Sequence, residues 1–391
     1  MRTVGIICEC NPFHGGHGYL IRRAREAGAE CVVAVMSGPF VQRGEAAICD
    51  PYTRAKAVLL GGADLVLELP FPYAAAPAEF FAAAGVEILY GIGVRELWFG
   101  SECGDLTLLS HLAELCDSEA FQAAYADSKD TSLGTAEAYL ATLSSLCKRE
   151  LTLSSNDLLG IAYLRAIRKS CPTMIPHTVR REGSGYLDTS VGEGYPSATA
   201  LRRIWREQGL DAVLAHLPQT VRSVYAESGE TYDIAFAERL ILGYLRLTSI
   251  ESLESVAVLS GGLASRLKNA STESVDIEGL LARTATKKYP NARILRGILF
   301  ALTGIDDAGL RAPVAYIRLL AANAIGCEFL SSTKKTCRLP ILTRRTELPD
   351  TEDARLQAAR EEQAYALYAL CKKTADRSIC WKYPPFIAKK A

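Results

Sequence analysis

Apolar runs alternate with amphipathic stretches along the first hundred residues. The apolar runs predict buried strands at 2–9, 31–38, 64–71 and 95–102. The amphipathic stretches predict helices at 18–28, 51–63 and 78–93. Continuous apolar strands separated by helices are typical of a parallel sheet that is covered on both faces. We therefore expect an α/β fold, a Rossmann-like doubly wound parallel sheet whose ligands bind beyond the carboxyl ends of the strands.

The pattern changes after about residue 105. Residues 105–170 are mostly helical in pattern, and 174–182 predicts a fifth strand followed by the glycine-rich stretch GSGYLDTSVGEGYPS. A helix is predicted at 197–209, and the periodicity from about 210 onward is helical. We therefore predict two domains, an α/β domain at 1–215 and a mainly α-helical C-terminal domain at 216–391.

Charge and composition limit the classes of protein to which this chain can belong. The 44 basic residues balance the 44 acidic ones, so a nucleic-acid partner would have to bind a local basic surface. No apolar run approaches the roughly 20 residues that span a bilayer, and no signal peptide precedes the first strand. We expect a cytoplasmic protein with no membrane partner and with reduced thiols, since the 12 cysteines are dispersed. Cys8 and Cys10 lack a second pair at zinc-site spacing, so no metal site is predicted there.

Two histidines follow the first predicted strand, in CECNPFHGGHGYL (8–20). His14-Gly15-Gly16-His17 stands where a strand leads into a helix, so free backbone N–H groups and the positive helix end attract phosphate. Glycine lets phosphate oxygens approach the backbone, and imidazoles can donate hydrogen bonds to charge that develops in a transition state. We predict a site at which a nucleotide's phosphates react. The alternative is a glycine turn with two surface histidines.

A second candidate anion site begins the helix at SATALRR (197–203). The hydroxyls of Ser197 and Thr199 at a helix start, with Arg202 one turn later, can bind phosphate together. Simple N-capping would explain the hydroxyl residues but not the arginine. Arg180 and Arg181 end the fifth strand and are predicted to point toward the same crevice, with a solvated edge pair as the alternative.

These motifs, in this order, resemble the tRNA(Met) cytidine acetate ligase family of the nucleotidyltransferase superfamily. The similarity rests on GIICECNPFHGGH, LWFGSE, SNDLLGIAYLRAI, GSGY and SATALRR, and it extends to TKKYPNARILRGILFALTGI. It therefore covers most of the chain. Two positions depart from the family pattern, which usually has an aromatic residue at Cys10 and a polar residue at Gly15.

The resemblance implies an ATP-dependent ligase. Such an enzyme activates acetate as acetyl-adenylate and passes the acetyl group to N4 of the wobble cytidine of elongator tRNA(Met). His14 and His17 would stabilise the α-phosphate during attack, while Arg202, the third catalytic residue, would hold the β- and γ-phosphates with Ser197 and Thr199. The implied ATP contacts are Ile7, Cys8, Glu9, Cys10, Asn11, Pro12, Phe13, His14, Gly15, Gly16, His17, Gly18, Tyr19, Leu20, Gly100, Asn156, Arg180, Arg181, Ser197 and Thr199.

Mg²⁺ is expected to accompany ATP, because the nucleotide's phosphates usually carry it. No carboxylate pair in the sequence stands out as its protein ligand. Asp64, Glu68 and Glu102 are each as easily structural.

A basic window in the second half is the candidate tRNA contact. Lys287, Lys288, Arg293 and Arg296 are close in sequence, and the spacing of the two arginines places them on one helix face. Tyr289 could stack on a base or a ribose. A solvated basic helix is the alternative, and the family resemblance favours tRNA.

Two other functions remain open at this stage. One is a nucleotidyltransferase that adenylylates a small phosphorylated metabolite, which would leave the C-terminal domain without a role. The other is a nucleotide- or tRNA-binding protein without chemistry, which would be expected to lack one of the phosphate-contacting groups.

Overall fold

Strands from both halves of the chain form one mixed sheet. The computed structural model describes residues 1–128, 134–181 and 195–388. The strands in these ranges are β1 (Thr3–Cys8), β2 (Cys31–Ser37), β3 (Leu65–Leu69), β4 (Glu96–Ser101), β5 (Ile175–Arg180), β6 (Ile317–Ala322), β7 (Ile341–Leu342) and β8 (Phe386–Ile387). Their order is β5-β4-β1-β2-β3-β6-β7, and β8 also pairs with β6.

The five strands predicted from the sequence run parallel to one another. Every residue of β2 and β3 is buried, because helices cover both faces of the sheet. The strand β1 lies between β2 and β4, so the chain builds the sheet in opposite directions from β1. The gap between the carboxyl ends of β1 and β4 is therefore the switch point at which such sheets bind ligands.

Helices make up most of the remaining described chain. They are α1 (Gly15–Glu26), α2 (Pro51–Leu60), α3 (Ala78–Gly91), α4 (Leu106–Asp117), α5 (Glu119–Ser128), α6 (Thr135–Cys147), α7 (Ser155–Ser170), α8 (Ala198–Gln208), α9 (Leu210–Leu214), α10 (Gln219–Ala226), α11 (Glu238–Leu247), α12 (Ile250–Glu254), α13 (Leu263–Glu273), α14 (Ile277–Thr284), α15 (Asn291–Thr303), α16 (Asp307–Arg311), α17 (Ala324–Thr333) and α18 (Glu352–Ala369). Short 3₁₀ turns occupy Tyr73–Ala75, Ile234–Ala237 and Arg345–Glu347.

Three large apolar cores, and a smaller fourth one around Tyr316 and Leu342, hold these elements together. Alternate residues of β2 point to opposite faces of the sheet: Val33 and Val35 pack with α3, α4 and α7, whereas Val32 and Ala34 pack with α1, α2 and α10. A third core joins α11, α13, α14, α15 and α18 to the loop after β2 through Phe40. Among the described residues, the structure contains no helix with the length and apolar character needed to cross a bilayer.

The C-terminal segment contributes strands that the sequence analysis did not predict. The strand β6 pairs antiparallel with β3, although its sequence IRLLAA also suits a helix. Pairing along the edge of β3 decides the conformation, because tertiary context overrides weak local propensity. The division at residue 215 stays a prediction, and the second segment extends the sheet of the first.

Candidate active site

The two histidines of the H-G-G-H stretch begin α1 immediately beyond β1. His14 is the N-cap residue, and its Nδ1 accepts a hydrogen bond from the Gly16 N–H at 3.1 Å. His17 Nδ1 in turn accepts from the His14 N–H at 3.2 Å, and the two ring centroids are 3.9 Å apart. Because both Nδ1 atoms are acceptors, each neutral imidazole carries its proton on Nε2. The loop therefore presents two fixed Nε2–H donors.

Burial keeps both imidazoles neutral. His14 is only 5% exposed, and this burial, together with the nearby His17, Arg181 and Arg202, holds its pKa well below the usual value. Burial and the charge of Arg181 lower the pKa of His17 to about 3. At neutral pH each imidazole therefore keeps Nδ1 as an acceptor for a backbone N–H and has one donor, Nε2–H, for an anion.

The depressed pKa of His17 predicts how stability depends on pH. Between pH 6.5 and about 3, unfolded His17 binds a proton that folded His17 does not, so the free energy of unfolding falls as the pH is lowered. The His17→Asn variant should show a shallower fall over this range. Urea denaturation at several pH values between 4.5 and 7 measures both slopes, and equal slopes would contradict the assignment.

A cleft opens at the switch point between β1 and β4. Its walls include His14, His17, Gly100, Arg180 and Arg181. These residues come from two strand ends and one helix start, and all of them were predicted as ATP contacts. The structure therefore brings these predicted residues together around one space.

Asn156 reaches this cleft indirectly. Its Nδ2 donates to Glu102 Oε1 at 2.7 Å, and the same carboxylate oxygen lies 3.4 Å from Arg181 Nε. A Cβ at Gly100 would lie 3.2 Å from Arg181 Cγ, so the glycine leaves room for that arginine. In this structure Asn156 orients Arg181 through Glu102, and its direct contact with ATP stays a prediction.

The start of α8 packs against the histidine loop. Ser197 is the N-cap, and its Oγ accepts from the Ala200 N–H at 3.1 Å. The buried Arg202 donates from Nη1 to the Asn11 carbonyl at 2.9 Å, and its Nη2 lies 3.4 Å from Thr199 Oγ1. Arg202 therefore fixes the loop that carries His14. Its predicted contact with the phosphates stays a prediction.

Arg54 is a site-forming residue that the sequence analysis missed. This fully buried guanidinium on α2 donates to the carbonyl of Cys49 at 2.9 Å and to that of Glu9 at 2.7 Å, and it also donates to the Gly38 carbonyl. It thereby joins the loops that follow β1 and β2. A signal was present, since Arg54 stands in the apolar spacing of α2, four residues before the buried Val58.

Known proteins share this chain's sequence over nearly its whole length. The HIGH Nucleotidyl Transferase family matches residues 1–379. The tRNA(Met) cytidine acetate ligase of Syntrophotalea carbinolica is 37% identical over 387 residues, which cover 92% of this chain and 91% of that protein. This chain belongs to the tRNA(Met) cytidine acetate ligase family.

Other members of the family agree in sequence and in fold. The tRNA(Met) cytidine acetate ligase of Listeria monocytogenes serovar 1/2a is 34% identical over 389 residues, covering 95% of this chain and 96% of that one. The crystal structure of apo Thermotoga maritima TmcAL is 27% identical and superimposes with a TM-score of 0.92 over 100% of both chains. A second crystal form, bound with alpha-thio ATP, gives a TM-score of 0.90 over the same coverage.

The structure accounts for the two departures from the pattern of the tRNA(Met) cytidine acetate ligase family. A Cβ at Gly15 would overlap the ring of Tyr195, so the glycine allows that ring to close over the start of α1. Cys10 is 1% exposed and has a φ of 46°, a left-handed conformation that few residues other than glycine adopt. The small thiol packs there among apolar side chains next to Phe13.

The predicted tRNA contacts divide into exposed and buried residues. Lys287 and Lys288 are exposed in the loop between α14 and α15. Tyr289 is 9% exposed, lies in the core, and donates its hydroxyl hydrogen bond to the Gly261 carbonyl. Its ring is covered by protein in this structure, and its stacking on a base or a ribose stays a prediction.

The two arginines of α15 bind backbone carbonyls of this chain. Arg293 donates from Nε to the Val258 carbonyl at 3.0 Å and from Nη2 to the Ser260 carbonyl at 3.1 Å. Arg296 donates from Nη1 to the Gln42 carbonyl at 3.0 Å, and burial lowers its pKa to about 10. The helix face that combines these arginines with Phe300 faces the protein interior, so its basic residues connect loops in this structure.

The three carboxylates considered as possible magnesium ligands are each engaged. Asp64 pairs with Arg25 and Asn323, Glu68 accepts from Tyr365, and Glu102 accepts from Asn156. Across the described ranges, no group of three or more His, Cys, Asp or Glu side chains is arranged to hold a metal ion. The GSGY stretch (183–186) lies outside the described residues.

Proposed function

We propose that this chain is an ATP-dependent ligase that forms N4-acetylcytidine at the wobble position of elongator tRNA(Met). The observation that carries the proposal is the pair of neutral imidazoles at the switch-point cleft, with both Nε2–H donors fixed by the backbone. Relatives named tRNA(Met) cytidine acetate ligase match nearly the whole chain, which supports the choice of acetate and of tRNA(Met) as substrates. Such a substrate places the enzyme in the cytoplasm.

The first step activates acetate. An acetate oxygen attacks the α-phosphorus of ATP, a P–O bond forms, and the bond to pyrophosphate breaks as pyrophosphate takes the electron pair. Negative charge on the non-bridging α-phosphate oxygens is then stabilised by the Nε2–H groups of His14 and His17. Arg181 adds positive charge at the same cleft. Mg²⁺ would be held by the nucleotide's phosphates and not by a cage of protein carboxylates.

The second step transfers the acetyl group to tRNA. We assign the initial electrostatic contact to Lys287 and Lys288, the exposed members of the basic window. Their loop lies against the start of α6, since a Cβ at Gly134 would be 2.6 Å from the Lys287 carbonyl oxygen. Because the net charge of the chain is zero, binding must depend on local positive charge of this kind.

Replacing both Lys287 and Lys288 by alanine should weaken tRNA binding without changing acetate activation. The slope of log affinity against log salt concentration should become shallower by about 1 for each lysine removed. The matched control replaces Lys334 and Lys335, another exposed lysine pair. That pair follows α17. Thr333, the last residue of α17, lies against Gly93, which precedes β4 at the amino ends of the parallel strands. Equal losses in the two double variants would contradict the assignment.

The proposed function is tested by incubating the protein with radiolabelled acetate, ATP and bulk bacterial tRNA. We expect the label to enter one elongator tRNA(Met) species as N4-acetylcytidine and to be lost in the His17→Ala variant. Pyrophosphate release with a small phosphorylated acceptor, and no label in tRNA, would instead indicate a metabolite nucleotidyltransferase. ATP binding with neither product would indicate a binding protein.

A further inference from the structure

Glu9 is the first residue beyond β1, and its carboxylate faces the loop that follows β2. Its Oε1 accepts a hydrogen bond from the Gln42 N–H at 3.0 Å, and its own backbone carbonyl accepts from Arg54. Within the described residues, no group donates a hydrogen bond to its Oε2. The side chain is half-buried, so one carboxylate oxygen is fixed by the protein while the other can receive a substrate group.

The charged and titratable groups around Glu9 come from several elements. Arg54 on α2 donates to its backbone carbonyl, and Tyr163 on α7 interacts electrostatically with its carboxylate. Arg202 approaches from α8, and Arg43 and Glu45 approach from the loop after β2. Burial raises the pKa of Glu9, while the positive charge of Arg202 opposes that rise. A partly desolvated carboxylate of this kind is a stronger base than one in water.

Several buried polar atoms near the carboxyl ends of β1 and β2 have no hydrogen-bond partner among the described residues. They are Asn11 Nδ2, Ser37 Oγ, Gln42 Nε2 and Arg296 Nε. Buried polar groups nearly always have hydrogen-bond partners, so a concentration of unpaired donors indicates a place that a polar ligand or ordered water fills. Asn11 lies two residues after Glu9, and Ser37 is the last residue of β2. Gln42 and Arg296 belong to the chain of hydrogen bonds that holds Glu9.

That chain connects Glu9 to the C-terminal helices. Arg296 on α15 donates to the Gln42 carbonyl, and the Gln42 N–H donates to Glu9. The contact between α15 and the loop is close, because a Cβ at Gly44, where φ is 76°, would lie 2.5 Å from the Arg296 backbone nitrogen. Arg296 is thus a positioning residue for Glu9.

We propose that Glu9 is the base that receives the proton lost by the acceptor amine during acetyl transfer. This rests on the proposed function, because it assigns a residue to its second step. The geometry favours Glu9 because the cleft lined by the histidines lies on the β4 side of β1, whereas Glu9 lies on the β2 side. A base on that side can meet an acceptor without displacing the nucleotide.

The step balances with the groups already named. The amine nitrogen attacks the carbonyl carbon of acetyl-adenylate, so a C–N bond forms. The C–O bond to AMP breaks, and the electron pair leaves with the AMP phosphate. One N4 proton passes to Glu9 Oε2, and Glu9 releases it to water once the acetylated product has left.

The test separates the two half-reactions in the Glu9→Gln variant. Glutamine has the same shape, and its Oε1 can still accept from the Gln42 N–H, but it cannot take up a proton. Because Glu9 is also a predicted ATP contact, we expect acetate-dependent exchange of pyrophosphate into ATP to fall, but by much less than acetyl transfer does. Single-turnover transfer from preformed acetyl-adenylate to tRNA should fall by about 10²–10⁴-fold. The Glu9→Asp variant keeps a carboxylate and should recover part of that loss.

A pH profile adds a readout that a structural role would not produce. In the wild type, the transfer rate should rise with pH as Glu9 ionises and then level off, and this dependence should disappear in Glu9→Gln. Loss of pyrophosphate exchange equal to the loss of transfer would place Glu9 in acetate activation and overturn the inference. Wild-type transfer in Glu9→Gln would overturn it as well. If the wild-type protein itself shows no acetate-dependent exchange, the proposed function fails first.

Discussion

Replacing His14 by asparagine is expected to slow acetate-dependent pyrophosphate exchange by about 10²–10³-fold while the protein stays folded. Asparagine is a favoured N-cap residue, so its Oδ1 can replace the Nδ1 that now accepts from the Gly16 N–H. The helix α1 therefore keeps its start. The asparagine side chain has no group in place of the Nε2–H that faces the cleft, so stabilisation of the α-phosphate is lost.

The same reasoning applies to His17→Asn, and the two losses are not expected to add. Groups that stabilise one transition state together lose most of their effect when either is removed. His216→Asn is the matched control, because His216 is exposed and lies far along the chain in the segment between α9 and α10. Circular dichroism shows whether each of the three variants is folded, and pyrophosphate exchange measures its rate of acetate activation. A folded His14→Asn protein with wild-type exchange would remove the imidazole pair from the mechanism.

The sequence predicts the first five strands and the histidine loop for a physical reason. A parallel strand that is buried on both faces is continuously apolar, so the apolar runs of β2 and β3 predict such strands directly. The direction of the chain then shows which end of each strand is the carboxyl end. His14 and Arg181 were predicted as site residues because they stand at such ends or just beyond them, and Gly100 was implied by the family resemblance. Their meeting in one cleft follows from the topology of the sheet.

The arginines were harder to place, since a long basic side chain has the same sequence signature in several roles. Arg296 was predicted to contact RNA, yet its guanidinium binds a loop carbonyl beside the active site. Arg54 was not singled out, although it contacts three carbonyls. A guanidinium can cross an apolar face to reach a polar group, and the identity of that group depends on loops brought close by the tertiary fold.

The β6 strand illustrates a different limit. Its residues are equally suited to a helix. They form a strand because they pair with β3, which lies about 250 residues earlier in the chain. No local pattern contains that information. Tyr289 is a related case, because an aromatic residue beside lysines resembles a stacking platform, and only the fold shows that the Gly261 carbonyl binds its hydroxyl.

Replacing Arg54 by methionine is expected to lower the free energy of unfolding by about 3 kcal/mol or more. Methionine retains much of the apolar stem but donates no hydrogen bond, so the carbonyls of Glu9, Gly38 and Cys49 lose their donor. A buried acceptor left unpaired costs about 1–3 kcal/mol, and three are affected together. Because two of these carbonyls stand at the ends of β1 and β2, the histidine loop and Glu9 should also lose their fixed positions.

Arg203→Met is the matched control, because Arg203 is also on a helix but its side chain is 54% exposed and pairs with Glu207 on the surface. That variant should change the free energy of unfolding by less than about 0.5 kcal/mol. Urea denaturation of both proteins gives the comparison, and ATP-analogue binding at a temperature where Arg54→Met is folded shows whether the site is disturbed. A small stability loss with weakened binding would mean that Arg54 orders the loops without stabilising the fold. Equal stability of the two variants with normal binding would mean that water can replace the guanidinium at all three carbonyls.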